Sequence, residues 1–100
     1  PDSIDLENLD VDDPFEIDEI NRPHLAKHFP FTEEDIYDAF FGEPIFAPSE
    51  PPAALLMIGP IPGDWVVVPL VAAASPTQVR PIGIFRAQQK HIDAYEEGYH

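Results

Sequence analysis

The chain has 100 residues, the usual size of one domain, and contains no cysteine, which excludes disulfides, thiol nucleophiles and thiolate metal sites. Nineteen acidic side chains against five Lys and Arg give a formal net charge of −14. Residues 1–50 hold fifteen of those acids and a net charge of −13, against −1 for residues 51–100. A charge step of this size indicates that one segment or face meets or repels a specific partner.

The sequence predicts no membrane-spanning helix. Its longest apolar run, residues 65–74, is interrupted by Pro69 and is about half of the ~20 residues that a span needs. No basic and apolar secretory leader opens the sequence. We therefore expect a cytoplasmic protein without membrane contact.

Residues 1–13 are acidic and contain no Lys or Arg. Their apolar side chains fit neither a helical nor a strand period: Ile4, Leu6, Leu9 and Val11. Two interpretations stay open, a solvated tail or an arm that docks its apolar residues on a partner or on the domain itself. We place the domain at residues 14–98 and expect that removing residues 1–13 leaves its stability nearly unchanged.

The domain is predicted to begin with a strand and a short helix. Residues 14–18 alternate apolar and polar side chains, which is typical of a half-buried strand. Asn21 as N-cap and Pro23 in the first turn favour a helix, and Pro30 stops it.

A second helix is predicted from Thr32 to about Phe41. Thr32 is a favoured N-cap, the three acids after it suit the positive end of the helix dipole, and Gly42 is a favoured C-cap. Four apolar side chains share an i, i+1, i+4, i+5 spacing: Ile36, Tyr37, Phe40 and Phe41. We interpret this stripe as core and not as a cofactor site.

The second half predicts a meander and a closing helix. A short edge strand and three further strands are separated by turn signals: residues 45–46, 53–59, 65–71 and 78–85. A helix follows over 87–97, with Ile92 and Tyr95 on the face that packs on the sheet. This order predicts the α+β class, with one antiparallel sheet and helices packed on it.

A series of short motifs runs in order through residues 14–98: Phe15-Glu16, Asn21, Lys27-His28, Glu33-Glu34, Phe40-Phe41, Pro44, Gly59, Arg80-Pro81-Ile82, Phe85-Arg86-Ala87 and Tyr95-Glu96-Glu97-Gly98. This succession resembles the BrnT family. The members of that family are toxins of type II toxin–antitoxin pairs and have a fold like that of RelE ribonucleases.

The resemblance implies metal-independent RNA cleavage, in which a ribose 2′-hydroxyl attacks the adjacent phosphate. By matching motif positions, Arg80 and Arg86 would hold the phosphate. Lys27 and His28 would come from the first helix, and Tyr95 would supply a supporting hydroxyl. The resemblance also implies RNA as substrate and an antitoxin as partner, with no cofactor and no metal.

Three functions from different classes fit these residues. They are a BrnT-like ribonuclease toxin, an inactive relative whose acidic half binds a basic protein, and a nucleic-acid mimic whose carboxylates imitate phosphates. The ribonuclease requires Arg80, Arg86 and one of Lys27 or His28 to meet at one phosphate. If the arginines are instead paired with carboxylates, or point to separate surfaces, we expect the binding module.

Overall fold

The structure is a computed structural model that describes residues 4–98. After a single 3-10 turn at Leu6–Asn8, these residues form three α-helices and five strands: α1 Arg22–Ala26, α2 Glu33–Phe41, β1 Ile45–Pro48, β2 Leu55–Ile61, β3 Asp64–Ala72, β4 Val79–Pro81, β5 Phe85–Arg86 and α3 Gln89–Glu96. The predicted α+β class is confirmed. No helix in this part of the chain is long and apolar enough to cross a membrane.

The sheet is an antiparallel meander in which β1, β2, β3 and β4 are neighbours in that order. Its centre is the β2–β3 hairpin, whose turn at Pro62-Gly63 needs the φ of +83° that glycine adopts without steric cost. β5 pairs with β3 along the same edge as β4. The predicted strand over 78–85 is therefore confirmed as one edge strand in two pieces, interrupted at residues 82–84.

The main core lies on one face of the sheet. Val66, Val68 and Leu70 alternate along β3, and all three are fully buried. Ile36 and Ala39 of α2 belong to the same apolar cluster and are also fully buried. The capping predicted for α2 is confirmed, since Thr32 and Asp35 form a capping box and Gly42 is the C-cap.

The opposite face of the sheet buries fewer side chains and is contacted by α3. Ile58 and Val67 are buried on this face. Tyr95 of α3 packs edge-on against Trp65 of β3, with 5.0 Å between the ring centroids. The predicted closing helix and the packing of Tyr95 on the sheet are thus confirmed.

The predicted burial of Phe41 is wrong, because its side chain is 62% exposed. At 100° per residue, a side chain five positions after Ile36 lies about 140° round the helix axis. Ala39 takes the core position instead, while Tyr37 and Phe40 are half-buried against Phe15.

The predicted strand over residues 14–18 is also wrong. Phe15 makes a single parallel bridge to Val79, and the segment forms no ladder. The segment cannot continue along β4, because the chain turns away at residues 18–21. There the Asn21 side chain accepts the Asp18 N–H at 2.8 Å, which satisfies that donor without a strand partner.

The described part of the acidic N-terminal segment lies against the domain. Ile4 and Leu9 are partly buried against the core cluster. The Asp10 N–H donates to the Thr77 carbonyl at 2.9 Å. Of the two interpretations above, these contacts fit an arm that docks on its own domain. The boundary at residue 13 stays a prediction, and residues 1–3 lie outside the described residues.

Candidate functional site

Arg80 is held by two carboxylates at the β4 end of the edge strand. Its Nη1 donates to Glu16 Oε1 at 2.8 Å and to Asp18 Oδ2 at 2.9 Å, while Nη2 donates to Asp18 Oδ1 at 3.1 Å. These hydrogen bonds are the main reason that the pKa of Asp18 lies well below its usual range. They also raise the pKa of Arg80.

Asn21 connects this ion pair to the backbone through hydrogen bonds. It is 6% exposed, and its Nδ2 donates to the Glu16 carbonyl at 2.9 Å and to the Pro81 carbonyl at 3.3 Å. Glu16, Asp18, Asn21 and Arg80 are called the Arg80 cluster below. Because the cluster joins residues 16–21 to β4, we assign it a structural role.

Arg86 makes a looser contact at the β5 end. Its Nε donates to Asp64 Oδ2 at 2.9 Å, and its guanidinium carbon lies 5.3 Å from the centroid of the Phe31 ring. The pKa of Asp64 is lowered, chiefly by the Trp65 N–H that it accepts and then by Arg86. The Arg86 side chain remains 61% exposed.

The two arginines begin on opposite faces of the sheet. Arg80 lies opposite Val71 of β3, whereas Arg86 lies opposite Val66. Because these register partners are an odd number of residues apart, side chains paired with them leave opposite faces. The structure thus places the two predicted phosphate ligands on separate surfaces, each with a carboxylate partner.

The remaining predicted residues divide between the β5 end and α3. The His28 ring packs edge-on against Phe85 at 4.6 Å, so Lys27 and His28 lie near the β5 end. Tyr95 instead donates its hydroxyl to the Glu43 carbonyl at 2.8 Å. No group of three or more His, Asp or Glu within residues 4–98 is placed to hold a metal ion.

Most carboxylates in residues 4–98 have no salt-bridge partner within that range. We define the acidic surface as five exposed residues of the N-terminal segment and α2: Asp10, Asp12, Asp13, Glu34 and Asp38. Its two parts meet through Phe15, two residues after Asp13, whose ring packs edge-on against Tyr37 of α2 with 5.2 Å between the centroids. Asp13 also adds to the effect of burial in raising the pKa of Tyr37. Val11 lies between Asp10 and Asp12 in the chain, Phe41 lies three residues after Asp38, and each is 62% exposed.

A groove of about 460 Å³ runs between α1 and the start of α2. Leu25 and Phe31 are buried beneath it, and Ala26 and Phe29 supply exposed apolar wall. Glu33 and Glu34 also line it. This α1–α2 groove was missed by the sequence analysis, since its shape depends on how two helices meet. The only local signal was Phe29 beside the helix-stopping Pro30.

The chain matches no protein-family profile, no curated protein and no solved structure in the corresponding comparisons. The resemblance to BrnT toxins therefore rests on the short motifs alone. What that resemblance implies about RNA cleavage enters only as a proposal.

Proposed function

We propose that the chain is an acidic protein-interaction module that binds a basic partner protein. The distribution of ion pairs carries this proposal. Within residues 4–98, four of the eighteen carboxylates pair with arginine, and these pairs engage three of the chain's five cations. The other fourteen have no such partner in that range, and a basic protein would neutralise them.

Exposed apolar side chains supply the second requirement of a protein interface. Charge accelerates association and selects partners, but the centre of an interface is usually apolar and often aromatic. Val11 and Phe41 are sequence neighbours of residues in the acidic surface and are mostly solvent-exposed. They give a partner apolar contacts beside the carboxylates.

The proposal is tested by two pairs of substitutions that change the net charge equally. Glu34→Gln with Asp38→Asn removes charge from the acidic surface, and Glu96→Gln with Glu97→Gln removes it from the exposed end of α3. We expect the first pair to weaken binding of a lysine-rich amphipathic peptide by roughly tenfold, a loss of about 1.4 kcal/mol. The matched pair should change binding much less.

The measurement is isothermal titration calorimetry at low and at physiological salt. Binding should weaken as salt rises, because the attraction between exposed charges is screened. Equal losses from both pairs would show that only net charge matters and that no particular surface is used. Absence of peptide binding at low salt would refute the interaction module.

A BrnT-like endoribonuclease is the second candidate. The His28–Phe85 contact favours it, because Lys27 and His28 thereby lie near the end of the sheet that carries Arg86. Arg80 would then act in the fold rather than on RNA, since two carboxylates occupy its guanidinium. This site would consist of Lys27, His28 and Arg86, without the Arg80 that the motifs imply.

The ribonuclease is tested with unstructured RNA, a chelator and low salt, where binding of RNA is easiest. Activity would produce 2′,3′-cyclic phosphate ends that disappear in His28→Ala and in Arg86→Ala. His91→Ala is the matched control, because His91 lies on α3 and its Nδ1 accepts the Gln88 N–H. RNA that stays intact at high protein concentration would rule out this candidate.

A further inference from the structure

We infer that the basic partner places an apolar side chain in the α1–α2 groove and sets Lys or Arg residues beside it against Glu34. This inference rests on the proposed function and identifies the docking site within it. The partner segment would therefore be amphipathic, with an apolar anchor between cationic residues.

The apolar part of the argument comes from the groove and its edge. Phe29, in the groove wall, is 87% exposed. Arg22 also lines the groove. Ile20, two residues before Arg22, is 81% exposed. A side chain that enters the groove would cover Phe29 and contact the buried Leu25 and Phe31 beneath it. Both partners would thereby remove apolar surface from water.

The charge around the groove selects the partner's chemistry. Arg22 is the only cation that lines it within the described residues, and Glu33 neutralises it at 2.6 Å. Asp18 and Glu19 lie near enough to add to the effect of Glu33 in raising the pKa of Arg22. Glu34 has no ion-pair partner among residues 4–98.

Two carboxylates and one arginine line the groove, so the net charge of the lining residues has the same sign as that of the whole chain. A ligand with Lys or Arg beside its anchor would meet Glu34 directly and would find no unpaired cation lining the groove. A second copy of this chain would bring a further net charge of −14 and would be repelled at low salt. Among protein occupants, charge complementarity selects a basic segment of another protein.

The test uses two synthetic peptides of equal length and equal lysine content, one with leucines and the other with serines at the same positions. We expect the full chain to bind the leucine peptide roughly tenfold more tightly, which is the effect of burying one apolar anchor. Phe29→Ser and Ala26→Trp, which open and fill the groove respectively, should reduce this preference to about twofold or less.

Phe85→Ser is the matched control, because Phe85 is an exposed aromatic outside both the groove and the acidic surface and should leave the preference intact. Amide chemical shifts provide a second measurement, and the leucine peptide should perturb residues 25–34 more than the serine peptide does. Thermal unfolding of each variant checks that it is folded.

Equal affinity for the two peptides, or a preference that survives both groove variants, would overturn this inference and leave the acidic module in place. Failure of both peptides to bind would overturn the proposed function itself. Concentration-dependent dimerisation that Phe29→Ser abolishes would also overturn the inference, because a second copy would then occupy the groove.

Discussion

Each end of the interrupted edge strand carries an arginine, and the two arginine side chains have different surroundings. Arg80 in β4 is 21% exposed and contacts two carboxylates, which Asn21 ties to the backbone. Arg86 in β5 is 61% exposed and contacts one carboxylate and the face of an aromatic ring. The number and burial of the partners, and not the residue type, decide which arginine holds the fold together.

This difference also bears on function. At the β4 end, the two carboxylates already accept the hydrogen bonds that a phosphate would accept from Arg80. Few donors of its guanidinium are therefore free for a ligand. At the β5 end, Arg86 is mostly exposed and its ion pair is screened by solvent. Any ligand of the edge strand would therefore meet the β5 end first.

The largest expected effect is at the β4 end. Arg80→Ala should lower the free energy of unfolding by about 2 kcal/mol, below the 3–5 kcal/mol of a fully buried pair because solvent reaches this cluster. Arg86→Ala should cost less than about 1 kcal/mol, as exposed pairs do. Urea denaturation of both variants measures the difference, and equal losses would contradict the comparison.

The pH dependence of stability should show the same contrast. The pKa of Asp18 is lower in the folded chain than its ordinary value of 3.8. The unfolded chain therefore binds more protons in acid, and this contribution is complete above about pH 5 and is lost progressively as the pH falls further. Asp64 has the same sign of shift at the β5 end.

Urea midpoints measured from pH 7 down to pH 2 provide the test. Asp18→Asn should flatten the acid limb of the stability profile more than Asp64→Asn does, because Asp18 accepts two hydrogen bonds from its arginine and Asp64 accepts one. Identical profiles for the two variants would show that the Arg80 cluster is no more important to acid stability than the surface pair.

Local sequence signals predicted much of the fold but not the Arg80 cluster. Thr32 and Gly42 lie next to the helix that they cap, so α2 was predictable from neighbouring residues. The partners of Arg80 lie 62 and 64 residues earlier in the chain. Their pairing depends on where β4 lies in the sheet, and no local spacing records that position.

The same reasoning explains the two wrong elements. The alternation in residues 14–18 is real, but Phe15 has only Val79 to pair with before the chain turns. Phe41 shares the spacing of the α2 stripe, yet it lies about 140° round the helix axis from Ile36 and stays 62% exposed. In both cases the sequence shows which side chains are apolar and not how much surface is available to bury them.

A smaller effect is expected where the N-terminal segment docks beside the β4 end. Leu9→Ser should lower the free energy of unfolding by about 1–2 kcal/mol, because Leu9 packs partly buried against the core. Val11→Ser is the matched control, since Val11 is 62% exposed and should change stability by less than about 0.5 kcal/mol. Equal and negligible effects would support the original expectation that residues 1–13 are dispensable.

The smallest effect is expected at the break between the two ends of the edge strand. A Cβ on Gly83 would lie 2.8 Å from Phe85 Cε2 and 3.5 Å from His28 Nε2. Because the Phe85 residue is 48% exposed, its ring has room to rotate away, and Gly83→Ala should cost less than about 1 kcal/mol. The His28–Phe85 contact should nevertheless be lost, which weaker nuclear Overhauser effects between the two rings would report.

Gly59→Ala is the matched comparison for this last substitution. A Cβ on Gly59 would meet Pro44 Cβ at 3.2 Å and the Ala39 carbonyl oxygen at 3.4 Å, and neither belongs to a side chain that can swing away. Gly59→Ala should therefore destabilise more than Gly83→Ala while leaving the His28–Phe85 contact intact. If Gly83→Ala proves the more costly of the two, the β5 end is as rigid as the β4 end, and Arg86 lies in a fixed setting rather than on an adaptable surface.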